Sequence, residues 1–303
     1  MYSNYILGNG LSNCLVGTSG WQYKDWEILF YPERTGRRFD KLRYYSQFFD
    51  YIELDSILYN LYTPQLAKSW MEKVRDNKNF TFSLKLDNAF IHRNNFNNAE
   101  LKILLAFIDE LSSNGKFESV LLQFPHHFLN TKDNKSKILK ISRIFKDSRV
   151  VAELPHNSWH SPLTYNFLEE SKLHLCTVDQ PHVLSNAGSS NFVLGRYVYF
   201  RLCGRNSEAW VQNDGEEKFD YLYSDLEVSE IFRKVIELRK RADKVIIVLN
   251  NYPMGKAIAN GFSFLSLIKN RHVLIPEETV DYYSHLKPIA YKVNTNQLPI
   301  FSV

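Results

Sequence analysis

A chain of 303 residues that is 44% hydrophobic and 23% charged has the composition of a globular protein, with no low-complexity tract. Its net charge of +4 is mild, so bulk charge neither demands nor rules out an anionic partner. Three cysteines without metal-type spacing argue against a disulfide framework, and no run approaches the ~20 apolar residues of a membrane span.

Met1 to Asn13 mixes polar and apolar residues without a basic region and an apolar run, so no signal peptide is expected. The first strand-like run is Cys14–Thr18, followed by a long loop, Ser19–Arg38. Phe39, Leu42, Tyr45 and Phe49 then recur at helical spacing. Tyr51–Asp55 reads as a second strand, and Pro64 suits a first helical turn. Phe80–Leu86, Ser119–Phe124 and Arg149–Glu153 continue the series, with a basic helical stretch over Lys132–Arg149. Ser161-Pro162 has the form of an N-cap followed by proline, ahead of a strand over Leu173–Asp179. Tyr197–Leu202 leads into a second long loop, Cys203–Phe219. Lys244–Asn250 is the eighth strand, and Pro253 opens another helix.

Strand and helix alternating eight times is the pattern of a (β/α)₈ barrel of the TIM type. An open doubly wound sheet is the competing arrangement that periodicity does not separate. With no linker and no shift in composition, residues 1–303 are expected to form a single domain: a barrel over about 14–270 and a tail over 271–303. Pro276, Pro288 and Pro299 suggest that this tail is irregular and packs on the outside. Cys14, Cys176 and Cys203 fall inside strands as small core residues, which fits a reducing compartment, the cytoplasm by default.

Six of the strands end on a polar residue: Glu53, Lys85, Gln123, Glu153, Asp179 and Arg201. Alternate residues of a strand share a face, and a parallel barrel turns one face of every strand to its axis. These six are therefore expected to converge at the C-terminal mouth, where barrel enzymes keep their chemistry. Three chemistries compete for them. The first is anion recognition, by Arg201, Arg205 and the loops Gly204-Arg205-Asn206 and Asn250 to Gly255, with Lys24, Arg34, Arg37 and Arg38 on the same face. The second is paired-carboxylate hydrolysis by Glu53 and Glu153, with Trp21, Trp159 and Trp210 to stack on a sugar. The third is a divalent metal held by residues from among Asp179, His182, His92, Glu153 and His156, while His126-His127 suits a surface or a site equally. The Lys132–Arg149 stretch reads as a solvated outer helix face rather than a nucleic-acid contact.

Over about residues 14–265 the chain resembles the YecE-like proteins, domain of unknown function 72. The resemblance is carried by Val16-Gly-Thr-Ser-Gly-Trp-Gln-Tyr23, Trp26, Phe30-Tyr-Pro32, Glu53 with Tyr59 and Pro64, and Phe82-Ser-Leu-Lys85 with His92. It continues through Leu122-Gln-Phe-Pro125, Glu153 with Ser158-Trp159, Arg201 with Gly204-Arg205, Tyr221 to Asp225, and Asn250-Asn251. It implies a TIM barrel without an established activity. The implied cleft residues are Trp21, Tyr23, Glu53, Lys85, Gln123, Glu153, Asp179, Arg201, Arg205 and Asn250. Pro155 stands where the family usually has arginine, Cys203 where it has histidine, and Asp55 where it has asparagine. These departures make the cleft more acidic than a typical member's and shift the balance toward a metal, although no metal set is favoured. The resulting expectation is a hydrolase-like enzyme with Glu53, Glu153, Lys85 and Asp179 as catalytic residues. Trp21, Tyr23, Gln123, Arg201, Arg205 and Asn250 would bind a small-molecule or nucleic-acid-related anion, with Glu53 or Glu153 as general base. A non-catalytic anion-binding module and a glycosidase-like enzyme are the alternatives. The cofactor is left open, a divalent metal being possible but not favoured, and no membrane or protein partner is expected.

Overall fold

The computed structural model describes residues 11, 13–32, 39–55, 62–86, 91, 97–181, 196–212 and 215–293. Eight strands close into one parallel barrel in chain order. They are β1 (Cys14–Ser19), β2 (Tyr51–Asp55), β3 (Thr81–Leu86), β4 (Phe117–Gln123), β5 (Val150–Glu153), β6 (His174–Asp179), β7 (Tyr197–Leu202) and β8 (Lys244–Leu249). Closure is made by β1 against β8, from Cys14 opposite Val245 to Thr18 opposite Leu249. This pairing excludes the open doubly wound sheet. Strand ends agree with the sequence reading to within two residues, because apolar β-branched runs such as Val245-Ile-Ile-Val248 are buried on both faces.

Helices α1 (Trp26–Leu29) and α2 (Lys41–Tyr45) follow β1, and α3 (Pro64–Lys73) follows β2. Next come α4 (Asn98–Ser113), α5 (Lys132–Ile144) and α6 (Pro162–Glu170). The series ends with α7 (Ser207–Gln212), α8 (Asp225–Arg239) and α9 (Lys256–Lys269). Their starts are chemically specified. Thr63 accepts the Leu66 N–H and Ser161 accepts the Thr164 N–H, each just ahead of a proline in the first turn. Ser224 and Glu227 form a reciprocal capping box on α8. Pro253 opens a single 3₁₀ turn, Pro253–Gly255, that hands over to α9 at the left-handed Gly255.

The tail departs from expectation. Val273–Pro276 (β9) and Ala290–Val293 (β10) pair in parallel, joined by α10 (Glu277–Tyr282) and a 3₁₀ stretch, Ser284–Ile289. The prolines punctuate these elements instead of dissolving them: Pro276 sits at the strand-to-helix junction, and Pro288 falls in the 3₁₀ stretch, which has no long hydrogen-bond ladder to break. The unit does pack on the outside, where the Thr279 hydroxyl donates to the Leu29 carbonyl at 2.6 Å. Pro299 lies outside the described residues. Among the described residues, no helix is long and apolar enough to cross a membrane.

Two buried layers result. Between strands and helices lies a layer rich in aromatic rings, among them Phe30, Phe49, Phe82 and Phe262. Inside the barrel lies a smaller cluster that includes Tyr51, Leu121, Val151, Cys176, Val178, Tyr199, Ile246 and Val248. Gly17 makes room for it, since a Cβ there would lie 1.9 Å from the Tyr51 carbonyl oxygen.

Candidate functional site

At the C-terminal end of the barrel axis, one guanidinium joins two carboxylates. Arg201 Nη2 donates to Glu53 Oε1 at 2.9 Å, and Arg201 Nη1 donates to Glu153 Oε2 at 2.8 Å. The remaining acceptor positions are also engaged. The Ser19 hydroxyl donates to Glu53 Oε1 at 2.7 Å and the Tyr199 hydroxyl to Glu53 Oε2 at 2.8 Å. Gln123 Nε2 donates to Glu153 Oε1 at 2.8 Å. Burial alone pushes the Glu53 carboxyl up, but Arg201, Lys85 and the Ser19 and Tyr199 donors outweigh it and hold the group below its ordinary value. Burial likewise opposes the Arg201 charge, and the two glutamates reverse that effect and hold the guanidinium firmly protonated.

Above this floor opens a cleft of about 550 Å³, within the roughly 300–1,000 Å³ of small-molecule sites. Trp21, Tyr62 and Trp70 form one wall, with Trp21 edge-on to Trp70 at 5.3 Å. Tyr23, Tyr252 and Phe219 form another, with Tyr23 stacked on Tyr252 at 4.4 Å. Polar groups enter from Asp55, Lys85, Gln123, Asn250 and Glu216. Lys85 Nζ lies 3.1 Å from Asp55 Oδ2, and Asp55 Oδ1 is buried without a hydrogen-bond partner among the described residues.

Five of the six expected strand-end residues therefore meet: Glu53, Lys85, Gln123, Glu153 and Arg201. Asp179 does not join them. Cys176 and Val178 are the β6 residues in the inner cluster, so alternation turns Asp179 to the outer face. There it takes Arg205 Nε at 2.7 Å and Nη2 at 2.8 Å, plus the Tyr223 hydroxyl at 2.9 Å. Arg205 reaches on to Glu227 of α8 at 2.9 Å, so neither Asp179 nor Arg205 lines the cleft. Trp21, Tyr23 and Asn250 do line it, as expected. Glu53 has no exposed surface and does not.

The other expectations sort in the same way. Glu53 and Glu153 share a single guanidinium, which fills the space where a scissile bond would have to sit between them. The phosphate cradle expected after β7 and β8 is filled by the protein: the Gly204 N–H donates to the Tyr223 hydroxyl, and the Met254 N–H donates to Asp25. Gly204 holds a positive φ of 86°, and a Cβ there would meet Tyr221 at 2.8 Å. Trp159 is fully buried, stacked on Phe128 with its indole N–H on the Phe128 carbonyl, so it is packing and not a sugar platform. Trp210 packs edge-on against Phe219 of the cleft wall and is not itself among the lining residues. Lys24 is exposed, while Arg34, Arg37, Arg38, Tyr59, His92 and His182 lie outside the described residues. The His126 ring faces His156 at 5.8 Å, and His156 Nδ1 accepts the Ser158 N–H as a cap. No three His, Cys, Asp or Glu are grouped as a metal site among the described residues.

The model of the family described as Protein of unknown function DUF72 matches residues 15–281. The chain belongs to this family. The UPF0759 protein YunF of Bacillus subtilis (strain 168) is 26% identical over 273 residues, covering 84% of this chain and 94% of the relative. A DUF72 family protein of Thermotoga maritima MSB8 superposes with a TM-score of 0.74 at 27% identity, over 84% of this chain and 99% of its own. A DUF72 family protein of Enterococcus faecalis V583 shares the fold at a TM-score of 0.73 and 23% identity, over 85% of this chain and 95% of its own.

The structure gives the three departures from the DUF72 pattern their places. Asp55 is the partner of Lys85 at the cleft wall. Cys203 is buried beside Arg201, where Asn250 Nδ2 donates to its sulfur at 3.5 Å, and burial pushes the thiol up to about 12. Pro155 is half-buried just past β5. Several site residues were missed from sequence. Tyr199 and Ser19 were within reach, since Tyr199 lies two residues before Arg201 on the same face and Ser19 ends β1. Tyr62, Trp70, Phe219 and Tyr252 were not, because they arrive from α3 and three separate connections with no periodicity that marks a wall.

Proposed function

We propose that this DUF72 protein is a hydrolase-like acid–base enzyme whose cleft takes a compact, uncharged, polyhydroxylated ring. The observation that supports this most is that its cations are already neutralised. Arg201 is held by Glu53 and Glu153, Arg205 by Asp179 and Glu227, and Lys85 by Asp55. Carboxylates outnumber cations around the cleft, so a dianionic phosphate meets net repulsion, while hydroxyls find both donors and acceptors. Two aromatic walls give the cleft apolar surface for the apolar side of a ring. Asp55 is the general base in this reading, because it stands in the cleft wall with an Oδ1 that has no partner among the described residues, whereas Glu53 is fully buried in the floor. Lys85 is its proton-bearing partner, and Gln123 and Asn250 orient the ligand.

A phosphate-bearing ligand, nucleotide-like ones included, is the second reading. It is favoured by Lys85, whose side chain is 13% exposed and faces the cleft. Calorimetric titration with neutral hexoses and pentoses, their monophosphates, uridine and uridine monophosphate separates the two. Binding of a neutral sugar, with the matching phosphate at least tenfold weaker, is the expected result. The reverse order transfers the assignment to the phosphate reading. Once a substrate is found, Asp55→Asn is expected to lower turnover by about 10²–10⁴-fold with little change in affinity.

A further inference from the structure

A second cavity of about 350 Å³ lies between α2 and α3. It shares Trp21, Gln22 and Trp70 with the main cleft, so the two spaces flank one shared wall. Its own lining comes from Phe39, Asp40, Lys41, Leu42 and Lys73. Its charges are paired as they are in the cleft: Lys73 with Asp40 at 2.7 Å, and Lys41 with Glu27 at 2.7 Å. The partition between the cavities is built firmly. Trp21 packs edge-on against Trp70, and the Tyr31 hydroxyl donates to the Trp21 carbonyl at 2.6 Å.

We infer that the two cavities are consecutive subsites of one groove, and that the ligand is a linear chain of at least two linked polyhydroxylated rings. This rests on the reading of the cleft as a site for neutral rings and adds the ligand's length and direction. One ring lies over the Arg201 floor, and the next passes Trp21 to lie against Phe39 and Lys73. A paired lysine and aspartate offer donors and acceptors to hydroxyls without selecting an anion, and Phe39 and Trp70 give the same cavity apolar aromatic surface for the apolar side of a ring.

Titration calorimetry with one- to six-unit ladders of gluco-, xylo- and chito-oligosaccharides tests this. The expected result is a series whose affinity rises at least tenfold between one and four units. In the Phe39→Ala/Lys73→Ala variant the tetramer-to-monomer ratio is expected to fall toward one. A series that binds with affinity independent of length overturns the second subsite and leaves the cleft reading standing, as does a wild-type ratio in the variant. Failure of every ladder to bind removes the neutral-ring reading and this inference with it. Should the variant not fold, the wild-type ladder and a crystal of the tetramer complex decide, with a second ring away from Lys73 counting against the proposal.

Discussion

At the scale of single residues, the unusual feature is a fully buried arginine shared by two glutamates. Taking such charges out of water is expensive, and the arrangement survives because nearly every lone pair is met by a donor. Arg201→Met leaves two buried carboxylates without their cation and is expected to cost about 3–5 kcal/mol in urea unfolding at pH 7. The Glu53 carboxyl is held below its ordinary value of 4.5 in the folded protein. Its contribution is therefore complete above pH 4.5 and lost as the pH falls through the depressed folded value. The gap between wild type and Arg201→Met is expected to narrow as the pH drops below 4.5, because a protonated Glu53 no longer needs the guanidinium. A gap independent of pH would show that packing, not charge, explains the loss.

At the scale of elements, caps and prolines at helix starts were readable in the chain while close approaches and wall-building contacts were not. Thr63-Pro64 and Ser161-Pro162 announce α3 and α6 because their chemistry is local. The strand faces were legible from alternation, which places Glu53, Lys85, Gln123, Glu153 and Arg201 correctly. Asp179 was misplaced because β6 turns Cys176 and Val178 inward, and its final polar residue therefore falls on the other face. Gly17 is a position where the element permits no side chain. Gly17→Ala brings a Cβ to 1.9 Å from the Tyr51 oxygen and is expected to cost about 3 kcal/mol, at the upper end of overpacking. Denaturant midpoints measure it, and a change within experimental error would mean that β1 and β2 can part without loss.

At the scale of the whole molecule, the barrel interior is a sealed compartment. Cys176 and Cys203 sit inside it, and burial holds both thiols well above their ordinary value. Neither is a nucleophile in the folded protein. Labelling of these two thiols at pH 8 by a chromogenic disulfide is expected to proceed no faster than the barrel opens, and to become rapid in denaturing urea. Fast labelling without denaturant would reveal local opening between β6 and β7.

The amino-acid sequence by itself determined the eight-strand alternation, the faces of the strands that carry Glu53, Lys85, Gln123, Glu153 and Arg201, and the proline-marked helix starts, since each follows from propensity, period or a cap a few residues away. Only the tertiary structure decided which charges are free. Whether Arg201 and Arg205 can hold an anion depends on Glu53, Glu153, Asp179 and Glu227, and those pairings are set by closure of β1 on β8 and by the seat of α8. Electrostatic partners are chosen by distance in space, and spacing along a chain does not encode that distance until the cylinder has closed.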